Sequence, residues 1–294
     1  MAVFIIAGLT IREAIRRKTL LGSAALGMLP VGLSLMLSVI RYRMEHNVST
    51  GHMSLIQYAI QYPIARSVVT QLSLSAIKSL SALFAILLAG GSVSGEIERG
   101  LLAVVITRPI GRWQVLIGKW LGLNVVLMGS SLLWSVMVWF SISRQTGGTM
   151  FPVLHAGLYL MLFPLLVCTV TLSLSTFANR LLGTALALAV CAISWFDGIL
   201  NGMSSMFEVS SLHTIAVALG LLMPQGYVGW WVEAAASGVV FSTQNARANW
   251  DSPEYLNKVL GPALHVPHLD AVYLTVYIVV VLAAGVAAFQ RRDV

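Results

Sequence analysis

The sequence predicts an all-α polytopic membrane protein with six transmembrane helices, and three observations lead there. Of its 294 residues, 57% are hydrophobic and 10% are charged, whereas soluble domains carry about 25% charged residues. The mean hydropathy is +0.84, more apolar sequence than a soluble core uses. The apolar residues also fall into separate runs of about 20, the length at which a helix crosses hydrocarbon while satisfying its own backbone groups. The expectation is one transmembrane domain over residues 1–294.

Residues 1–19 form the first element. Ile11, Ala14 and Ile15 lie on one side of a helical wheel, with Arg12, Glu13, Arg16 and Arg17 on the other. This two-faced pattern predicts a helix lying at the membrane surface, where Arg12, Arg16, Arg17 and Lys18 meet anionic lipid. Glu13 stands four residues before Arg17, a pairing that adds about 0.3 kcal/mol. A cleaved secretory leader is the poorer reading, because the apolar start precedes the charges and no small-residue cleavage site follows.

The first span is assigned to residues 20–40, with Pro30 as a kink within it. Residues 41–71 include Arg41, Arg43, Glu45 and His46, so a loop or short surface helices are predicted there. Span two follows at residues 72–93 and span three at residues 113–140. A polar turn at residues 144–150, with Gly147-Gly148, leads into span four at residues 151–177. The four residues Ala178-Asn179-Arg180-Leu181 then turn the chain into span five, residues 182–200, so that spans four and five form a helical hairpin.

Residues 201–269 read as an extracytoplasmic or re-entrant region. Its apolar run at residues 212–223 is too short to cross, and a re-entrant or surface-lying helix is predicted, with Tyr227, Trp230 and Trp231 at headgroup depth. Residues 242–268 hold Asp251, Pro253, Glu254, Pro262 and Pro267 and are expected to be an irregular exposed loop. Span six is assigned to residues 271–289.

Six spans place both termini on one side, and charge selects the side. The face with the two termini, the segment between spans two and three, and the Arg180 turn holds 11 of the 18 Lys/Arg and 4 of the 11 Asp/Glu, a net of +7. The opposite face holds the other 7 of each, a net of 0. Basic loops remain cytoplasmic, so both termini are predicted inside. Topology thus accounts for the excess positive charge without any nucleic-acid partner.

The segment at residues 94–112 carries the densest charge between two spans. Ile97, Leu101, Val104 and Val105 recur at helical spacing, Glu96 and Glu98 suit the positive end of a helix dipole, and Pro109 with Gly111 stops the helix. A short cytoplasmic helix with an apolar stripe and ordered charges is built to touch another protein. Glu96-x-Glu98-x-Gly100-Leu101-Leu102, then Arg108-Pro109-x-x-Arg112 and Gly118-Lys119, resembles the loop between spans two and three of type-2 ATP-binding cassette (ABC) permeases. Thr10 to Lys18 is similar to the entry helix of that family, and Phe289-Gln290-Arg291-Arg292-Asp293 to its last residues. Leu101 and Gly111 stand where the family often has Thr and Ser, changes that keep the helix and its stop.

The resemblance implies an ABC exporter permease in the cell (inner) membrane. Its coupling helix would use Glu96, Ile97, Glu98, Gly100, Leu101, Val104, Arg108, Pro109 and Arg112 to receive a separate cytoplasmic ATPase subunit. It further implies a second permease subunit, identical or different, with ATP and Mg bound by the ATPase and no cofactor on this chain. Two other readings stay open. One is a non-transporting ABC complex that passes mechanical change to an extracytoplasmic protein; the other is an intramembrane enzyme.

Known catalytic patterns do not favour the enzyme. The stretch from Gly111 to Gly118-Lys119-Trp120 has neither the spacing nor the hydroxyl of a phosphate-binding P-loop, and neither His-Glu-x-x-His nor Gly-x-Ser-x-Gly occurs. The six histidines are scattered over the outer side, His265 and His268 being the closest pair, and no metal site is predicted. Cys168 and Cys191 are read as small apolar packing residues. Lys78 and Asp197 are more pointed, since both fall inside apolar runs at matched depth. A charge there pairs, snorkels to the surface, or lines a pathway, and an ion pair between them is the leading expectation.

Overall fold

The structure, a computed structural model, describes residues 2–16, 19–90, 92, 95, 111–148, 150–177, 181–192, 224–236 and 267–291. In chain order the helices are α1 (Ala2–Arg16), α2 (Thr19–Ser49), α3 (Leu55–Ala89), α4 (Arg112–Thr146), α5 (Phe151–Leu160), α6 (Leu162–Phe177), α7 (Leu181–Ala192), α8 (Gln225–Ala236) and α9 (Pro267–Arg291). Among the described residues there is no strand.

Five stretches are long and apolar enough to cross a membrane: Gly22–Ser49, Leu55–Ala89, Arg112–Thr146, Phe151–Phe177 and Asp270–Arg291. They overlap the runs expected as spans one to four and six, several with different ends. Of the expected fifth span, the described part is α7, which is shorter; residues 193–200 lie outside the described residues.

Polarity was a poor guide to where helices end. Residues 41–71, expected to be loop or short surface helices, are mostly the continuation of α2 and the beginning of α3, with only residues 50–54 between them. A helix satisfies its own backbone in water as it does in lipid, so a rise in side-chain polarity gives it no reason to stop. Arg41 pairs with Glu45 at 2.8 Å on one exposed flank of α2. The chain turns where Gly51 adopts a φ of +77°, and Ser54 then starts α3 with a reciprocal cap: Gln57 N–H donates to Ser54 Oγ at 3.2 Å, while Ser54 N–H donates to Gln57 Oε1 at 3.1 Å. The 35 residues of α3 extend about 52 Å at 1.5 Å per residue, well beyond a hydrocarbon core of about 30 Å.

Proline has two outcomes. Pro30 and Pro63 sit inside α2 and α3, which run through them. The expected span 151–177 is instead divided at Met161, whose N–H reaches back to the Leu158 carbonyl at 3.2 Å. Pro164 explains the division, because its ring crowds the carbonyl of Leu160 and it has no N–H to donate. At the far end of α4, Gly147 takes a left-handed φ of +70° and closes the helix.

Packing inverts the pattern of a soluble protein. Leu29, Leu87, Val125, Phe140 and Val279 are exposed on the long helices, whereas Ser73, Ser135, Thr169, Thr171 and Ser175 are buried. Buried hydroxyls bond back to the preceding turn, as Ser73 Oγ does to the Val69 carbonyl at 2.8 Å and Thr171 Oγ1 to the Val167 carbonyl at 2.7 Å. They leave narrow helix faces that can pack closely. A few side chains bond between helices: Trp120 Nε1 donates to Thr169 Oγ1 at 2.9 Å, linking α4 to α6, and Ser173 Oγ donates to the Val281 carbonyl at 3.0 Å, linking α6 to α9.

One apolar cluster joins α3, α4, α6, α7 and α9 around Leu116, Phe163, Leu172 and Phe289. A second, around Trp134, Val138, Ile142 and Val153, lies toward the end where α2 and α3 form their hairpin. Trp134 is 2% exposed, its ring 6.4 Å from that of Phe84. Trp134→Ala should therefore lower the unfolding free energy by about 3–5 kcal/mol, read by denaturant titration in mild detergent. Trp113→Ala, at a site 44% exposed, should change it far less.

Candidate functional site

Two regions merit attention, and the first is the end of the bundle where α1, α4 and the last turn of α9 meet. Glu96, Ile97, Glu98, Gly100, Leu101, Val104, Arg108 and Pro109 lie outside the described residues, as do Arg17 and Lys18. The structure does describe the two flanks of that segment. At the α3 flank, Gly90 N–H bonds the Ile86 carbonyl at 2.9 Å, and Ser92 bonds the Ala89 carbonyl through both N–H (3.1 Å) and Oγ (2.8 Å). The Lys119 ammonium, reaching over from α4, donates to the Ser92 carbonyl. Lys119 is 7% exposed, and a cation just past the end of α3 is favoured by the negative end of that helix's dipole.

At the α4 flank, Arg112 Nη1 donates to the Gln290 carbonyl at 3.2 Å and so joins the start of α4 to the end of α9. The first turns of α4 also receive α1. A Cβ on Gly118 would lie 2.8 Å from Ile6 Cβ and 2.9 Å from the Val3 carbonyl oxygen; one on Gly122 would lie 2.7 Å from the Ala7 carbonyl oxygen. Gly118-Lys119-Trp120-Leu121-Gly122 is a Gly-x-x-x-Gly notch, and α1 crosses α4 in it. Ala7 and Ala14 are buried on α1, while Phe4, Ile5, Leu9, Arg12 and Arg16 are exposed. The entry helix thus has a packed face in addition to the lipid face expected of it. Its signal was present in the sequence, in a stretch read there as part of the family resemblance and against a P-loop but not as a packing notch.

The second region surrounds Lys78. Asp197, its expected partner, lies outside the described residues. Lys78 is half-buried on α3, with Nζ 5.0 Å from the centroid of the Phe163 ring on α6. It lines a cavity of about 80 Å³ between α3, the α5–α6 junction and α8, along with Gln71, Ser75 and Glu233. Gln71, Ser75 and Lys78 follow one another at i, i+4 and i+7, one polar strip of α3. Glu233, on α8, reaches the surface, yet its carboxyl lies among enough protein that burial raises its pKa above the usual range, an effect the Lys78 charge opposes.

Sequence reasoning missed Glu233. A lone carboxylate in the otherwise apolar stretch from Tyr227 to Ala236 was the available signal, and the neighbouring aromatics drew the attention. Tyr227 and Trp231 pack on other helices: Tyr227 lies 5.6 Å from Tyr273 on α9, and Trp231 lies 5.8 Å from Tyr159 on α5. The 212–223 run lies outside the described residues. Among the described residues no cluster of three or more His, Cys, Asp or Glu is placed to hold a metal ion. Cys168 and Cys191 are buried free thiols.

The α1–α4 notch yields a controlled test. Gly122→Ala would press a methyl into the Ala7 carbonyl and should cost about 1–3 kcal/mol. Gly129 on the same helix has nothing within 4 Å of a Cβ, so Gly129→Ala should be neutral or stabilising by up to about 1 kcal/mol. Thermal unfolding of the two variants in one detergent compares them; equal loss would mean α1 does not seat in the notch.

In comparison with known proteins, residues 4–294 match a family model described as ABC-2 family transporter protein. No curated protein matches the chain.

Proposed function

This chain belongs to the ABC-2 family of transporters, a multi-pass membrane component that works with an ATP-binding cassette partner, and we propose from that premise that it is the permease subunit of an exporter. ATP and Mg bind the partner. The segment 94–112 is the coupling helix on which that ATPase docks, both termini are cytoplasmic, and the complex has a second permease subunit, identical or different, in the cell (inner) membrane. The observation that carries this reading is what surrounds the coupling segment. Its α3 flank is held by Lys119 through Ser92, its α4 flank is tied by Arg112 to α9, and the following two turns seat α1.

In mechanism, the chain supplies no chemistry and much positioning. Closure of the ATPase around nucleotide displaces the coupling helix. That displacement reaches α3 and α4 together because Lys119 ties their ends, α9 through Arg112, and α1 through its seat on Gly118 and Gly122. Four helices then move as a unit, the kind of rigid-body shift that opens one side of a transporter and closes the other.

A second reading, in which ATP turnover drives an extracytoplasmic protein without transport, draws support from the α2–α3 hairpin, whose helices are 31 and 35 residues long. Capture of a partner through residues 41–71 and 201–269, with no ATP-dependent movement of any tested solute, would favour it.

Three outcomes test the coupling assignment. Leu101→Asp would bury an unpaired carboxylate at a cost of about 3–5 kcal/mol, and the ATPase should no longer co-purify. Glu98→Gln and Arg112→Gln should keep the ATPase bound but lower its turnover in membranes. If all three variants insert properly and resemble the unmodified protein in both measurements, residues 94–112 are a plain connector. Topology is checked separately: a cysteine at Gly111 should be labelled only from the cytoplasm and one at Asn257 only from outside.

A further inference from the structure

Lys78, inside the apolar stretch Leu55–Ala89, and Glu233 on α8 bring opposite charges to one small cavity, and a charge within a span is costly unless it serves a partner, a pathway or a ligand. The cavity has two kinds of wall. Along α3 run Gln71, Ser75 and Lys78; facing them are the apolar side chains of Phe163 and Val232, with Glu233 beside the latter. Gln71, Ser75 and Glu233 are all exposed and Lys78 is half-buried, so the polar groups form an open mouth with the ammonium set further in. A Cβ on Gly229 would make an ordinary contact with Lys78 Nζ at 3.4 Å, so a longer side chain at that position would reach into the cavity. Convergent polar groups at an apolar cavity are the usual form of a small-molecule site.

Charge and size narrow the ligand. An anion drawn to Lys78 would also face the Glu233 carboxylate, and a cation drawn to Glu233 would face the Lys78 ammonium. A head group carrying both an amine and an acidic group offers each of the two charges its opposite at once, which neither a simple anion nor a simple cation does. At about 80 Å³ the cavity is well below the ~300 Å³ at which whole drug-sized ligands are enclosed, so it takes a compact head group. The remaining body of such a ligand lies outside the cavity. We infer that the cavity between α3, α5–α6 and α8 is a binding site for a compact zwitterionic head group, its acidic group on Lys78 and its amine on Glu233, with any apolar tail directed outward. That this ligand is cargo rests on the transport reading; that it binds does not.

Binding of four radiolabelled probes to the purified full-length chain in phosphatidylglycerol nanodiscs tests the site: N-dodecyl-β-alanine, dodecanoate, dodecylamine and free β-alanine. The zwitterionic amphiphile should bind saturably and at least tenfold more tightly than dodecanoate or dodecylamine. Lys78→Met and Glu233→Gln should each abolish that preference, and Gly229→Leu should weaken binding at least tenfold with both charges in place. The double variant Lys78→Met/Glu233→Gln removes one charge of each sign, so the net charge is unchanged, and guards against misfolding of the single variants; it should elute as a monodisperse species without the preference. Free β-alanine binding as tightly as its dodecyl form would support the site and assign its ligand to the aqueous phase; much weaker binding would support it and assign an amphiphile. No saturable binding, equal binding of the three dodecyl probes, or an unchanged preference in the variants would overturn the proposal. ATPase co-purification separates the two claims: ATPase bound without probe binding sinks the site alone, and probe binding without ATPase sinks the exporter reading alone.

Discussion

The constraint on which this structure depends is that hydrocarbon offers a polypeptide no hydrogen-bond partner and no hydrophobic reward for packing. Each span must therefore be helical, and helices must be held together by closeness and by a few polar contacts. The chain meets both needs with small residues. Hydroxyls folded back on their own helices make flat packing faces, Gly118 and Gly122 let α1 approach the α4 backbone, and Trp120 and Ser173 supply bonds between spans. A soluble protein would bury Leu87 and Val279 and expose Ser135; here the reverse holds.

The same scarcity of polar contacts gives meaning to those at the basic end. Lys119 ends on a backbone carbonyl in the turn just past α3, and Arg112 on one in the last turn of α9. Contacts to the backbone report where a helix is, whatever side chain it bears, and so suit a joint that transmits position. Lys119 serves two neighbours at once. Its ammonium holds the α3 end, while the glycines before and after it on α4 face α1. Lys119 and its flanking glycines thus link the α3 end, α4 and α1, and Arg112 adds α9, all within the first three turns of α4.

Much of the fold was legible because it follows from solvent alone: runs of about 20 apolar residues mark helices that can span, and five of the described stretches are helical, long and apolar enough to cross a membrane. Hydropathy has no information about a helix that leaves the membrane, and so the continuation of α2 to Ser49 and the start of α3 at Leu55 were missed. Pro164 carried the signal for the break at Met161, masked by the apolar residues around it. Of the site, Lys78 was legible as a residue; Glu233 and the arrangement were not. Lys78 stands out in sequence as an intramembrane charge, yet its placement over Phe163 and beside Glu233 depends on how α3, α6 and α8 are rotated about their axes, which a single sequence does not specify.

The central claim is that the segment between α3 and α4 is the surface on which ATP-driven motion enters this chain. A photocross-linking residue placed at Leu101, in cells that also make the ATP-binding cassette subunit, tests it most directly. The account predicts one dominant adduct joining this chain to that subunit, with a yield that changes when nucleotide is trapped on the ATPase. Adducts only to lipid or to unrelated proteins, or an adduct whose yield ignores nucleotide, would contradict it.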